Sequence, residues 1–372
     1  MKDGAATELR PFARAAEGFP GLIRVERYGQ RTDVFDRIVA ETHTHFWDPL
    51  NPDYVDLRAP FDLSAQAVMP FSMIAELNSA VADRLDDAGR TAFANDTARW
   101  WLSNFLHGEQ AALSFSVSLC RDLDNLGTIE YAANQAREEA RHVLAFSTYI
   151  QTRWGTPLPA SPVFGKLLQD IVDAPEPYKR IVGMQLLVEG LAMGLMAALH
   201  TNTSDPTLAR LAQLVMSDEA FHHKAGRIWS KVDLPYLTDE EKEKAEAFAL
   251  ECFDALMFNV MHPSQKQVIY DRYGFDWKWV REAMKESYTS EVRRQELAAT
   301  NSAFRIVMRT LVNSGVVSQK TEGAYAAWVP IDDLRSERDG SIEERITAEG
   351  LEYLRRINDS KRQRHRRETA HD

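Results

Sequence analysis

From about residue 62 onward, apolar residues recur every three to four positions, the spacing of one buried helix face. No run alternates apolar and polar residues as a half-buried strand would. The pattern predicts helices over about 74–88, 90–122, 128–153, 163–172, 176–200, 204–230, 238–260, 276–316 with a break, and 341–365. Turn-forming clusters separate them: DNLGT at 124–128, RWGTPLPASP at 153–162, TNTSDP at 201–206 and MHPSQ at 261–265. The expected class is all-α. Residues 1–60, rich in Pro, Gly and aromatics, read as an arm or cap. A helix bundle is expected over 61–235, further helices packed on it over 236–360, and a disordered basic tail over 361–372.

Composition narrows the function classes. The chain has 372 residues, 44% hydrophobic and 27% charged, ample for a sizeable core. A formal charge of -11 argues against an electrostatic nucleic-acid binder. Two cysteines, Cys120 and Cys252, supply neither a disulfide framework nor a thiolate metal site. The N-terminus MKDGAATELRPF has no apolar signal region, and the longest apolar run, 186–199, is short for a bilayer and carries Glu189. A cytoplasmic protein that neither enters a membrane nor binds nucleic acid is expected.

The chemistry begins at EEARHV, 138–143. Glu139 and His142, three apart on a helix, share one face. DEAFHH repeats the spacing at Glu219 and His222. Thirty residues before Glu139 stands Glu109, and thirty before Glu219 stands Glu189. The set Glu109, Glu139, His142 thus recurs, shifted by 80, as Glu189, Glu219, His222. The midpoints, 124 and 204, fall in two of the turns. Residues equidistant from a hairpin turn lie at one height, here fifteen residues or about 22 Å from it. Two such hairpins bring four glutamates and two histidines to one level. Glu189 lies among Leu186, Leu187, Val188, Leu191, Ala192 and Met193, and Glu109 beside Phe105, Leu106, Ala112 and Leu113. An unpaired carboxylate there costs several kcal/mol or becomes protonated. Two divalent cations cancel four carboxylates, and oxygen and imidazole donors suit iron or manganese.

This arrangement resembles the ferritin-like di-iron carboxylate proteins, in which two helices give one Glu each and two give Glu-x-x-His. The resemblance covers about 90–230. It implies two iron ions (or a Mn/Fe pair) held by Glu109, Glu139 and His142 on one side and Glu189, Glu219 and His222 on the other, some glutamates bridging. It also implies that the acid before each Glu-x-x-His steadies the opposite histidine, Glu138 holding His222 and Asp218 holding His142. The activity implied is that of a non-haem di-iron oxygenase or oxidase of the monooxygenase kind. It would activate O2 to hydroxylate, N-oxygenate or desaturate a small organic substrate, with electrons from a ferredoxin or reductase and a homodimer as a fair expectation. The alternative is a ferroxidase-type iron- or peroxide-handling protein.

Departures from the branches of that family matter. Ribonucleotide reductase small subunits usually carry a tyrosine where this chain has Phe146; Tyr149 reads as core. The threonine of the methane and toluene monooxygenases is replaced by Met193, leaving Ser116 or water to deliver protons. The third histidine of the arylamine N-oxygenases is replaced by Val215, and His223 points about 100° away from its neighbour His222. Candidate pocket walls are Phe105, Ala112, Leu113, Ser116, Gln135, Phe146, Met193, Val215 and Met216. ETHTHFWDP, 41–49, resembles the HxH opening of metal-dependent amidohydrolases through His43 and His45, but that barrel needs eight strands. The two histidines are expected to make packing or polar contacts of the cap.

Overall fold

The computed structural model describes residues 11, 12, 14, 19–287, 303–326, 328, 331–336 and 342–369. Among them there is no β-strand; the protein is all-α. The longer helices are α1 (Asp36–Thr42), α2 (Asp87–Asp122), α3 (Leu126–Trp154), α4 (Pro162–Val172) and α5 (Pro177–Asn202). They are followed by α6 (Pro206–Val232), α7 (Asp239–Met261), α8 (Trp277–Ser287), α9 (Ala303–Ser314) and α10 (Ile342–Thr369).

Local chemistry sets the boundaries. Asp86, Asn125 and Asp205 each accept a hydrogen bond from a backbone N–H of the first turn they precede, and Thr238 with Glu241 forms a reciprocal capping box. Pro162, Pro177 and Pro206 occupy first helical positions, where no N–H is needed. Gly155 ends α3 at φ 80.

Three residues join α2 to α3 and three join α5 to α6, so each pair is a tight antiparallel hairpin, and the hairpins pack on each other through α3 and α6. Helix α5 is long and apolar enough to cross a membrane by composition, yet 83% of that stretch is buried inside the protein. Helices α7 and α9 cover its other faces, and α10 lies along α6.

Two expectations are corrected. The segment 74–88 is not a helix: short 3-10 turns at Ala75–Asn78 and Ala82–Arg84 precede α2. The Asn78 amide donates to the carbonyls of Phe71, Ser72 and Ile74, competing with the helical ladder. The segment is anchored by buried Glu76, which accepts from Lys266 Nζ at 2.9 Å and Tyr270 Oη at 2.6 Å. Of the helical pattern expected over 276–316 with a break, α8 and α9 are described, and 288–302 lie outside the described residues. The basic run after 360 was expected to be disordered; helix α10 continues to Thr369, with Lys361 3.2 Å from Asp53 and over the Tyr54 ring.

The arm is part of the core. Arg27 Nε donates to the Asp124 carbonyl at 2.6 Å, the Thr32 N–H to Asn125 Oδ1 at 3.0 Å, and Thr128 Oγ1 to the Pro11 carbonyl, strapping the arm across the α2–α3 turn. Gly127 sits beneath this strap, where a Cβ would overlap the Thr32 carbonyl oxygen. Gly127→Ala should cost about 1–3 kcal/mol through overpacking. Urea denaturation should show a lower midpoint at unchanged slope.

Burial would raise the Glu76 carboxyl, but the Lys266 charge and the Tyr270 hydrogen bond outweigh it and hold it below its ordinary value. A depressed carboxylate stabilises the fold above its unfolded value of about 4.3, and that contribution disappears as the pH falls through the folded value. Lys266→Met should therefore cost about 3–5 kcal/mol at neutral pH. The deficit should shrink below about pH 4, read from denaturation midpoints across a pH series.

Candidate metal centre

The two hairpins place the six predicted side chains at one level, all buried: Glu109 is 6% and Glu189 3% exposed, the others less. Donor atoms of Glu109, Glu139, His142 and Glu219 all lie within 4.8 Å of one another, as do those of Glu139, Glu189, Glu219 and His222. The groups overlap in Glu139 and Glu219. That is the geometry of two adjacent cation positions with two shared carboxylates and one further carboxylate and one imidazole each.

Each imidazole is turned the same way. His142 Nδ1 faces Glu109 Oε2 at 3.1 Å, Glu139 Oε2 at 3.4 Å and Glu219 Oε1 at 3.0 Å. His222 Nδ1 faces Glu139 Oε1 and Glu219 Oε2, both at 3.1 Å. One nitrogen cannot bond several carboxylates at once, so convergence of this kind suits a cation. The opposite nitrogens are fixed from behind: His142 Nε2 lies 2.9 Å from Asp218 Oδ2, and His222 Nε2 2.9 Å from Glu138 Oε2. These contacts hold the rings and leave Nδ1 free to ligate.

The donor set fits a dinuclear metal group. Buried Glu139 Oε2, Glu189 Oε2 and Glu219 Oε1 accept no hydrogen bond, an arrangement costly for carboxylates without a cation. Burial and the neighbouring carboxylates push Glu109 and Glu189 well above the ordinary range. Burial alone would lower both histidines, but Glu109 and Asp218 at His142, and Glu219 and Glu139 at His222, raise them well above it. Protons shared in this way occupy the place that divalent cations would take.

Helix α5 is not uniform. Val182–Val188 forms a π-helical stretch, and the Glu189 N–H bonds the Met184 carbonyl, five residues back. The wide turn brings Gln185 and Glu189 together onto Gln135. Gln135 Nε2 donates to Glu139 Oε1 at 3.0 Å and Glu189 Oε1 at 2.9 Å, while its Oε1 accepts from Tyr131 Oη and Gln185 Nε2, both at 2.8 Å. Gln135 was expected as a pocket wall; it orients two carboxylates instead.

Periodicity missed the arm's contribution. Trp47, fully buried, donates its indole N–H to Asp218 Oδ2 at 2.8 Å, and Arg141 Nη2 donates to the same oxygen at 2.6 Å. Burial would raise Asp218, but Arg141 and the His142 contact hold it far below its usual value. His45 makes contacts of both expected kinds, reaching onto α6: it stacks on Phe221, and its Nε2 lies 3.8 Å from Asp218 Oδ1. A Trp next to a His-x-His was the only sequence signal.

On the opposite side a cavity of about 210 Å³ reaches Glu109, Glu189 and Glu219. Helices α2 and α5 form its walls, and α4, α7 and α9 close it. Of the expected walls, Phe105 and Ala112 line it. Leu113, Ser116, Gln135, Phe146, Met193, Val215 and Met216 do not: the cavity lies between α2 and α5, whereas Leu113 is half-buried away from it and the other six lie elsewhere in the packed interior. Phe146 stacks behind Phe105, Tyr149 Oη donates to Asp205, and His223 Nε2 turns away to Thr310 Oγ1 at 3.0 Å.

No protein-family model, curated protein or solved structure matches the chain.

Glu109→Ala should reduce bound metal from two ions per chain to one or none. Glu138→Gln should keep the ligands but weaken metal binding about 10–100-fold. Metal analysis after equilibrium dialysis tests both, and wild-type loading of Glu109→Ala would refute the ligand set.

Proposed function

We propose that the chain is a ferritin-like non-haem di-iron oxidoreductase that uses O2 and external electrons to oxidise a small, largely apolar organic molecule. The observation that carries this reading is the cavity: apolar walls lead to the face of the carboxylate cage formed by Glu109, Glu189 and Glu219. A pure iron-handling site has no need of such a space; an oxygenase needs one beside its metals.

Glu139 and Glu219 would be shared by the two irons, with Glu109 and His142 completing one position and Glu189 and His222 the other. When bound, the irons would supply the redox chemistry, coupling O2 reduction to substrate oxidation. The protein's part is positional and electrostatic. Glu138 and Asp218 keep the imidazoles aimed, and Gln135 holds Glu139 and Glu189. Trp100, Phe105 and Phe164 give the cavity apolar, aromatic walls. Oxygen and imidazole donors without thiolate favour iron or manganese. A ferredoxin or reductase would be the electron donor.

Anaerobic loading with Fe(II) should saturate at two irons per chain. O2 and a reductant should then give O2 uptake that small aromatic or aliphatic compounds stimulate. Ala192 lines the cavity one helical turn from Glu189, so Ala192→Phe should fill it, keep both metals and cut stimulated uptake by at least about tenfold. Uptake of many irons per chain, or unchanged stimulation in Ala192→Phe, would favour iron storage instead.

A further inference from the structure

The cavity has a second chemical end. Asn104 on α2 and Asn259 on α7 line it, 8% and 4% exposed, and Ser161 lies between them. Asn104 is five residues before Glu109 on the same helix, so this amide end lies about 7.5 Å along the axis from the carboxylate end. The cavity walls are otherwise apolar and largely aromatic, with Phe105 between the two ends on α2 and Trp100 and Trp101 on the far side of Asn104.

The hydrogen bonds at the amide end can be followed donor by donor. Asn104 Nδ2 donates to the Trp100 carbonyl at 3.0 Å, which turns its Oδ1 toward Ser161. The Ser161 N–H reaches Asn104 Oδ1 at 3.5 Å, and the Ser161 hydroxyl donates to Asn259 Oδ1. Both amide oxygens are thereby served. Asn259 Nδ2 has no protein acceptor among the described residues, and the side chain lines the cavity, to which this N–H is open. An acceptor on a molecule bound in the cavity would give this N–H the partner that the protein does not supply.

We propose that Asn259 is a specificity-determining residue. Its amide N–H anchors a hydrogen-bond acceptor on the ligand, a carbonyl or ether-type oxygen, and holds a ring-sized apolar body with its far end toward Glu109 and Glu189. The substrate class is then a small aromatic or cyclic molecule bearing one acceptor, transformed at the end remote from it. This rests on the reading of the cavity as the substrate site; the anchor itself is a binding property and is testable without turnover.

The test uses the full chain loaded with redox-inert Zn(II), and two probes of matched shape: acetophenone, which carries the acceptor, and α-methylstyrene, in which CH2 replaces the oxygen. Titration calorimetry, or quenching of the wall tryptophans, should show acetophenone binding about two- to tenfold more tightly. Asn259→Leu, similar in shape but without the donor, should abolish that preference while retaining two metals per chain. Equal binding of the two probes by the wild-type chain, preference for the hydrocarbon, or no binding of either overturns the proposal, whether or not the variant folds. Discrimination by the Zn(II) form with no O2 uptake by the Fe(II) form would uphold the anchor and remove the oxidation reading. Stimulated O2 uptake with equal probe binding would remove the anchor alone.

Discussion

Like-charged groups buried together constrain this structure more than any other feature. Glu109, Glu139, Glu189 and Glu219 meet in an interior from which water is excluded. Their mutual repulsion and lost hydration oppose folding unless positive charge enters with them. Two divalent cations bring the sum of the four to zero. The protein adds an outer ring of compensation: Glu138 and Asp218 behind the imidazoles, with Arg141 2.6 Å from Asp218. The helices must stay in register to within a fraction of a turn for these groups to meet, which explains the tight, well-capped hairpin turns.

The centre has two unlike sides. Helices α3 and α6 carry both Glu-x-x-His pairs, and the arm seals that side by laying Trp47 against the His142 ring and onto Asp218. Helices α2 and α5 carry the lone glutamates and face the cavity, closed by α4 between the hairpins and by α7 and α9 after them. Packing is dense and polar where the imidazoles are steadied, and apolar with free volume where a ligand would approach. The π-helical stretch of α5 lies at the junction, trading regular hydrogen bonding for the alignment of Gln185 and Glu189 on Gln135.

The hairpins and the six converging side chains were legible in the sequence because they depend on local regularities. A 3.6-residue period places Glu139 with His142 and Glu219 with His222. A symmetric distance from a turn places Glu109 opposite Glu139, and Glu189 opposite Glu219. The pairing of Glu138 with His222 and of Asp218 with His142, inferred by analogy, coincides with the observed hydrogen bonds. The same periodicity misled at 74–88, where the Asn78 side chain and a buried Glu76–Lys266 pair defeat the helix.

By itself, then, the sequence determined an all-α chain with a cage of buried carboxylates and imidazoles, since helix phase and turn position are properties of neighbouring residues. Tertiary structure alone decided which surfaces enclose that cage. Trp47 meets Asp218 across 171 positions, and Asn259 meets Ser161 across 98. The cavity exists because α7 and α9 pack over the gap between α2 and α5. Such contacts follow from the path of the whole chain, and no period or spacing along it encodes them.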